Sequence, residues 1–299
     1  MKLKTLALSA VLALGAFAGM SGSAMAQSPS SNAINICVGS TKGAYHNILA
    51  PSIGNAMGRT LNRINTSGTP EILAKLESGE CQMGIVQRDG LVESIFQPEV
   101  VAALTSEYLH LACSTASGVD SVKDLRNNTN ATIVFDSPNS GSYLTWKAMG
   151  KLDSGYNAEN GPKVSFTKSN ARQASFIKSG KAQCYFGVSA LPNGGVQQIG
   201  KLGGGDIKLV PVNDWNFNDK TIEVNGEDMK VYTFSSIPEG TYAGFDLGND
   251  SATFSDNSVE TLSVDAIVVL APSFVENGSV EDVDAAYEGA LIAEQNLRK

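Results

Sequence analysis

Short apolar runs recur through the first two-thirds of the chain, and the segments between them carry apolar residues every three or four positions. The runs are 34-INICV-38, 82-QMGIV-86, 109-LHLAC-113, 131-ATIVF-135, 184-CYFGV-188 and 207-IKLVPV-212. Each is short for a helix and too evenly apolar for a half-exposed strand, so all six read as strands buried on both faces. In 45-YHNILAPSIGNAM-57, Tyr45, Ile48, Leu49, Ile53 and Met57 share one helical face. Pro51 marks a kink or a late start there. The helix predicted over 70-PEILAKLESG-79 has Thr69 as N-cap, Pro70 at its first position and Gly79 at its end. Further helices are predicted over 141–152, 170–180 and 280–299, the last capped by Ser279 and ending in Arg298 and Lys299. This alternation predicts an α/β architecture with mainly parallel sheets. It breaks over 213–262, where Asn225-Gly226 predicts a hairpin and 238–258 is rich in Gly, Ser and Asp. A last buried strand is predicted at 264-VDAIVVLA-271.

Lys2 and Lys4 precede an apolar run over 5–20, and 24-AMA-26 supplies a small-x-small cleavage pattern. Residues 1–26 therefore read as a cleaved secretory signal, and the mature chain as an exported, periplasmic protein. No later segment is apolar for long enough to cross a bilayer. The net charge of −8 and the lack of a basic cluster argue against nucleic acid and anionic lipid as partners. Small molecules and other proteins are the expected partners, and the chain itself is expected to be a monomer. Cys37, Cys81, Cys113 and Cys184 are too dispersed for a CxxC metal or redox motif. An oxidising compartment permits two disulfides in three connectivities. The apolar setting of all four cysteines equally suits buried free thiols.

The turn 39-GSTKGAY-45 invites a phosphate-loop reading, because glycines before a helix expose backbone N–H groups. A nucleotide loop needs its Lys directly after the last Gly, whereas Lys42 precedes Gly43. No GxGxxG follows a strand, and no serine stands in a GxSxG elbow. His46 and His110 are the only imidazoles, and His110 lies in an apolar strand. Nothing assembles a nucleophile, base and orienting group, so neither catalysis, a metal nor a cofactor is expected.

The strand-to-helix junctions 39-GSTKGAY-45, 66-TSGTPE-71, 87-QRDG-90 and 137-SPNSGSY-143 share small residues and neutral hydrogen-bonding groups. Such loops lie at the carboxyl ends of strands, where open α/β sheets bind ligands. The order GSTKGAY, 66-TSGTPEIL-73, 84-GIVQRD-89, 140-SGS-142, 191-LP-192 and 237-IPEGTY-242 resembles the TAXI family, solute-binding proteins of tripartite ATP-independent periplasmic (TRAP) transporters. The resemblance covers almost the whole mature chain. It implies a periplasmic binding protein type II-like α/β fold, two lobes with a ligand cleft between them, and a TRAP-type membrane permease as partner. The ligand would be an organic acid, an amino acid or a related polar metabolite. Carried over by position, the ligand-binding residues would be Gly39, Ser40, Thr41, Gly43, Tyr45, Thr69, Gln87, Asp89, Ser140, Gly141, Ser142, Tyr143 and Tyr242. The lobes are expected at 27–115 plus 225–299 and at 116–224, with 109-LHLACS-114 crossing between them.

Three positions depart from the family's pattern. Glu71-Ile72 replaces the usual acid–amide pair of the second turn, Tyr143 stands where a cation is common, and Gln183 where an acid is usual. Without an Arg–carboxylate fork the ligand is expected to be neutral, aromatic or zwitterionic. The runner-up is a periplasmic receptor that delivers its ligand to a signalling partner, and an exported enzyme comes third.

Overall fold

The computed structural model describes residues 33–242, 245 and 258–297. The expected signal at 1–26, most of the 238–258 excursion, and Arg298 and Lys299 lie outside the described residues. The strands are β1 (Asn35–Val38), β2 (Asn62–Asn65), β3 (Met83–Gln87), β4 (Glu99–Ser114), β5 (Thr132–Phe135), β6 (Lys163–Phe166), β7 (Cys184–Ser189), β8 (Ile207–Val210), β9 (Thr221–Val224), β10 (Glu227–Lys230), β11 (Thr233–Ile237) and β12 (Val259–Leu270). The helices are α1 (Ala50–Ala56), α2 (Thr69–Glu77), α3 (Gly90–Glu93), α4 (Gly141–Leu152), α5 (Asn170–Lys178), α6 (Gly194–Gly203), α7 (Pro272–Asn277) and α8 (Val280–Leu297).

One sheet runs in the order β2-β1-β3-β12-β4-β7-β5-β6, with β11 beside β12 and β8 beside β4. Its flanks are parallel: β1 pairs with β2 and β3, and β5 with β6 and β7. Its centre is antiparallel, β12 lying between β3 and β4, and β4 beside β7 and β8. The expectation of mainly parallel sheets thus holds only at the flanks. Two long strands, β4 and β12, run through the middle and reverse the direction of pairing there. The predicted hairpin forms as β9–β10, with Asn225 (φ 55°) and Gly226 (φ 81°) in the left-handed conformation its tight turn requires.

Alternation along each buried strand sends successive side chains into different cores. In the first half of the sheet, Ile36, Ile85, Val268 and Leu270 face a core closed by α1 and α8. Cys37, Val86, Ile267 and Val269 face the opposite core, which α2 covers. The second half repeats the arrangement: Leu111, Ile133, Phe135 and Phe186 pack with Trp146 of α4, while Ala112, Val134 and Tyr185 pack with α5 and α6. Both central strands serve both pairs of cores. On β4, Ala102 and Leu104 belong to the first pair, and Leu109, Leu111 and Cys113 to the second. On β12 the change falls between Val264 and Ala266. The residues at the change, Thr105-Ser106-Glu107 and Asp265, form a polar waist across the sheet.

Two local features bear on the site. Pro51 enters near the start of α1, directly after a wide turn in which Ala50 N–H donates to Tyr45 O. The kink or late start expected from that proline is met by a widened turn and not by a late start: the segment is already helical from Tyr45, and the wide turn absorbs the missing N–H. Thr69, expected as an N-cap, is instead the first residue of α2, and Gly68 (φ 143°) is the cap. The Thr69 hydroxyl is free of capping and accepts from Gln87 N–H at 3.1 Å.

The cysteines form two disulfides. Cys37–Cys81 ties β1 to the turn before β3, and Cys113–Cys184 joins directly opposed residues of β4 and β7. Among the described residues, no helix is long and apolar enough to cross a membrane.

Candidate ligand site

The carboxyl ends of β1 and β3, the turn before α4 and the waist of β4 converge on one polar cluster. After β1, Gly43 N–H donates to Ser40 O (2.9 Å) and Asn47 Nδ2 donates to Thr41 O (2.7 Å), which shapes an exposed turn leading to Tyr45. The Tyr45 hydroxyl crosses to β4 and donates to Glu107 Oε2 at 3.1 Å. The Gln87 side chain faces the same carboxylate from the end of β3. Gln87 also packs against the start of α4, where a Cβ on Gly141 would lie 2.1 Å from Gln87 Oε1. Beside it, a Cβ on Gly68 would lie 2.8 Å from Asn139 O. The turns preceding α2 and α4 thus abut with room for glycine alone.

Asp89 follows Gln87 and is fully buried. Its Oδ2 accepts from Tyr232 Oη at 3.1 Å, and the Thr145 hydroxyl of α4 faces the same carboxyl. Burial pushes the Asp89 carboxyl up to about 6, against the pull of the Tyr232 bond and the facing Thr145 hydroxyl. Burial likewise pushes Glu107 up to about 7, and the charge of Asp89 adds to this while Tyr45 and Gln87 hold it down. The Tyr45 phenol is raised well above its ordinary range by burial and then by Glu107, so it stays a donor. Arg88 is committed elsewhere: Nη2 pairs with Asp265 Oδ2 at 2.7 Å and Nη1 donates to Lys230 O at 3.1 Å. Ser106 Oγ completes that arrangement by donating to Asp265 Oδ1 at 2.9 Å. Among the described residues, neither Glu107 nor Asp89 has an ion-pair partner.

A second polar group lies at the carboxyl ends of β5 and β7. Asp136 Oδ1 accepts from Gln173 Nε2 (2.6 Å) and Oδ2 from Tyr185 Oη (3.4 Å). Nearby, the Tyr242 hydroxyl accepts from Asn193 N–H at 2.7 Å and shares a hydrogen bond with His110 Nε2, also at 2.7 Å. Burial lowers His110 to about 4, so the ring is neutral. Among the described residues, no group of three or more His, Cys, Asp or Glu side chains could hold a metal ion.

The sequence matches the NMT1-like family over residues 36–258. The chain belongs to that family. No curated protein matches this NMT1-like chain significantly. Among solved structures it is similar to an ancestral arginine-binding protein bound to arginine, at 14% identity over 88% of this chain and 93% of that one, with a TM-score of 0.50. It also aligns with the GluR0 ligand-binding core from Nostoc punctiforme in complex with L-glutamate, at 10% identity, 88% and 93% coverage and a TM-score of 0.47. A third is the periplasmic aliphatic sulphonate binding protein SsuA from Escherichia coli, at 12% identity, 90% and 72% coverage and a TM-score of 0.43. The NMT1-like protein thus has the mixed α/β fold of type II periplasmic binding proteins.

Of the residues singled out in the sequence, Tyr45, Thr69, Gln87, Asp89 and Gly141 fall into the cluster around Glu107. Gly39, Ser40, Thr41 and Gly43 form the exposed turn beside it. Ser140 caps α4, accepting from Tyr143 N–H at 3.3 Å, and Ser142 Oγ accepts from Val188 N–H at 2.9 Å. Tyr143 packs edge-on against Phe135 and Phe166, and Tyr242 sits in the separate His110 group. Glu107 was not singled out. Its signal is the polar triplet Thr105-Ser106-Glu107 between two apolar stretches, which reads as a loop until the strand is seen to cross from one pair of cores to the other.

Proposed function

We propose that this NMT1-like protein is an exported solute-binding protein of the TAXI type, which captures a small polar metabolite and delivers it to a TRAP-type membrane permease. The lobes would be 27–115 plus 225–299 and 116–224. The observation that carries this reading is the meeting of Tyr45, Gln87, Glu107 and Gly141 at the polar waist, where β4 and β12 pass between two pairs of cores. A solute bound there touches groups fixed to both halves, so it stabilises the arrangement in which the halves are close, and a membrane partner can read that arrangement.

Mass spectrometry of solute released from the denatured, purified protein tests capture directly. A screen of metabolites by thermal shift complements it, because a molecule that binds only the folded chain raises its melting temperature by mass action. Absence of any released solute, together with no shift across carboxylates, amino acids, sugars and aromatic acids, would sink the proposal. Delivery is tested by reconstituting a TRAP-type permease in vesicles; uptake that does not depend on added protein would refute that part alone.

A further inference from the structure

We infer that Glu107 receives a positively charged nitrogen of the solute, so that the solute is an amine- or guanidinium-bearing metabolite and not a simple dicarboxylate. This rests on the solute-binding reading above. Glu107 stands in the middle of β4, opposite Val264 of β12, at the point where the sheet passes from one pair of cores to the other. Donors from two separate junctions, the Tyr45 hydroxyl and the Gln87 amide, point at its carboxyl. Both select the ionised form, because a carboxylate accepts and does not donate.

Charges elsewhere in the protein show what is missing here. Asp265 at the same waist is matched by Arg88 at 2.7 Å, and Asp153 by Arg126 at 2.9 Å. Glu107 and the fully buried Asp89 repel one another and, among the described residues, have no such match. The groups facing Glu107 are the Tyr45 phenol, the Gln87 amide and the Asp89 carboxyl, none of them cationic. Arg88 is engaged with Asp265 and Lys230 O, and Lys42 is exposed on the first turn. A dicarboxylate would bring further negative charge to two acids with no fixed cation beside them. An ammonium or guanidinium would neutralise Glu107, relieve its repulsion with Asp89, and donate to the oxygen that Tyr45 leaves open.

The test is titration calorimetry at pH 8 with matched probes: L-glutamate against 2-oxoglutarate, L-alanine against lactate, and 4-aminobutyrate against glutarate. The solute released from the purified protein is identified in parallel. The expected result is that the released solute and every binding probe carry a protonated nitrogen and that the partners lacking it do not bind. Glu107→Gln should weaken binding by about 30-fold, the scale of one charge-assisted hydrogen bond, and Glu227→Gln on the exposed hairpin should leave it unchanged. Wild-type affinity should also fall between pH 8 and pH 6 as Glu107 takes up its proton, which keeps the test open if Glu107→Gln folds poorly. A released solute or tight probe without a basic nitrogen, or binding that is indifferent both to Glu107→Gln and to pH, overturns the inference and leaves solute binding standing. No solute and no binding probe of any class overturns both.

Discussion

Replacing Asp89 by Asn isolates the energetic consequence of burying an acid without a cation. The carboxyl is fully buried and its pKa rises from 3.8 to about 6 in the folded chain. A shift of about two units corresponds to about 3 kcal/mol, at roughly 1.4 kcal/mol per unit. The folded state binds the proton more tightly than the unfolded chain, so this stabilisation is complete below pH ~4 and is lost as pH rises through about 6. Asn cannot ionise, and its amide oxygen can still accept from Tyr232 Oη, which the native Oδ2 does at 3.1 Å. Allowing about 1 kcal/mol at every pH for an amide in place of the carboxyl, Asp89→Asn should be more stable than wild type by about 2 kcal/mol at pH 8. At pH 4, where the titration gain is absent, the variant should be less stable by about that 1 kcal/mol. Urea unfolding of both proteins at pH 4, 5, 6, 7 and 8 measures this, with the difference growing between pH 4 and pH 6 and flat above. A constant difference across that range, or a variant less stable at pH 8, would refute the claim that the buried charge is uncompensated.

Removing Cys113–Cys184 by a double substitution to Ala should lower stability by about 4 kcal/mol, from a closed loop with a sequence separation of 71; urea unfolding reads it. Tyr156→Phe takes away the 2.6 Å bond to buried Asp214 and should cost about 2 kcal/mol at pH 7, visible in the same assay. Gly68→Ala imposes a Cβ 2.8 Å from Asn139 O at φ 143°, so the turns before α2 and α4 must separate. Hydrogen exchange at 137–144 should accelerate as a result, and unchanged protection would show that the two turns move independently.

The strands that lie wholly within one pair of cores were legible because both faces are apolar: β1, β3, β5, β7 and β8 stand close to their expected places. β4 was only half legible. Its second part, from Leu109, is uniformly apolar, whereas Glu99–Tyr108 mixes apolar and polar residues as it crosses the waist. Sequence periodicity cannot register a strand that changes cores midway, and Glu107 was hidden for that reason. The short edge strands β2 and β6 were missed because most of their residues are exposed. Junction chemistry pointed to the right turns but not to the use of each hydroxyl. Ser140 and Ser142 look like ligand groups in the sequence, yet one caps a helix and the other holds β7 through Val188 N–H. Only the three-dimensional partners separate those roles.

The position of β12 has a consequence for how the chain acquires its structure. This strand comes after residue 258 but lies between β3 and β4, which are complete by Ser114. Until Val259–Leu270 is available, β3 and β4 present unpaired edges at the centre of what will be one sheet, and β11 has no partner. Pairings of such sequence separation form late and slowly. Exposed edges of this kind are also templates for pairing with other chains. A fragment ending before residue 259 is therefore expected to aggregate and not to fold as a smaller domain, and the final seventh of the chain decides whether the rest acquires its structure.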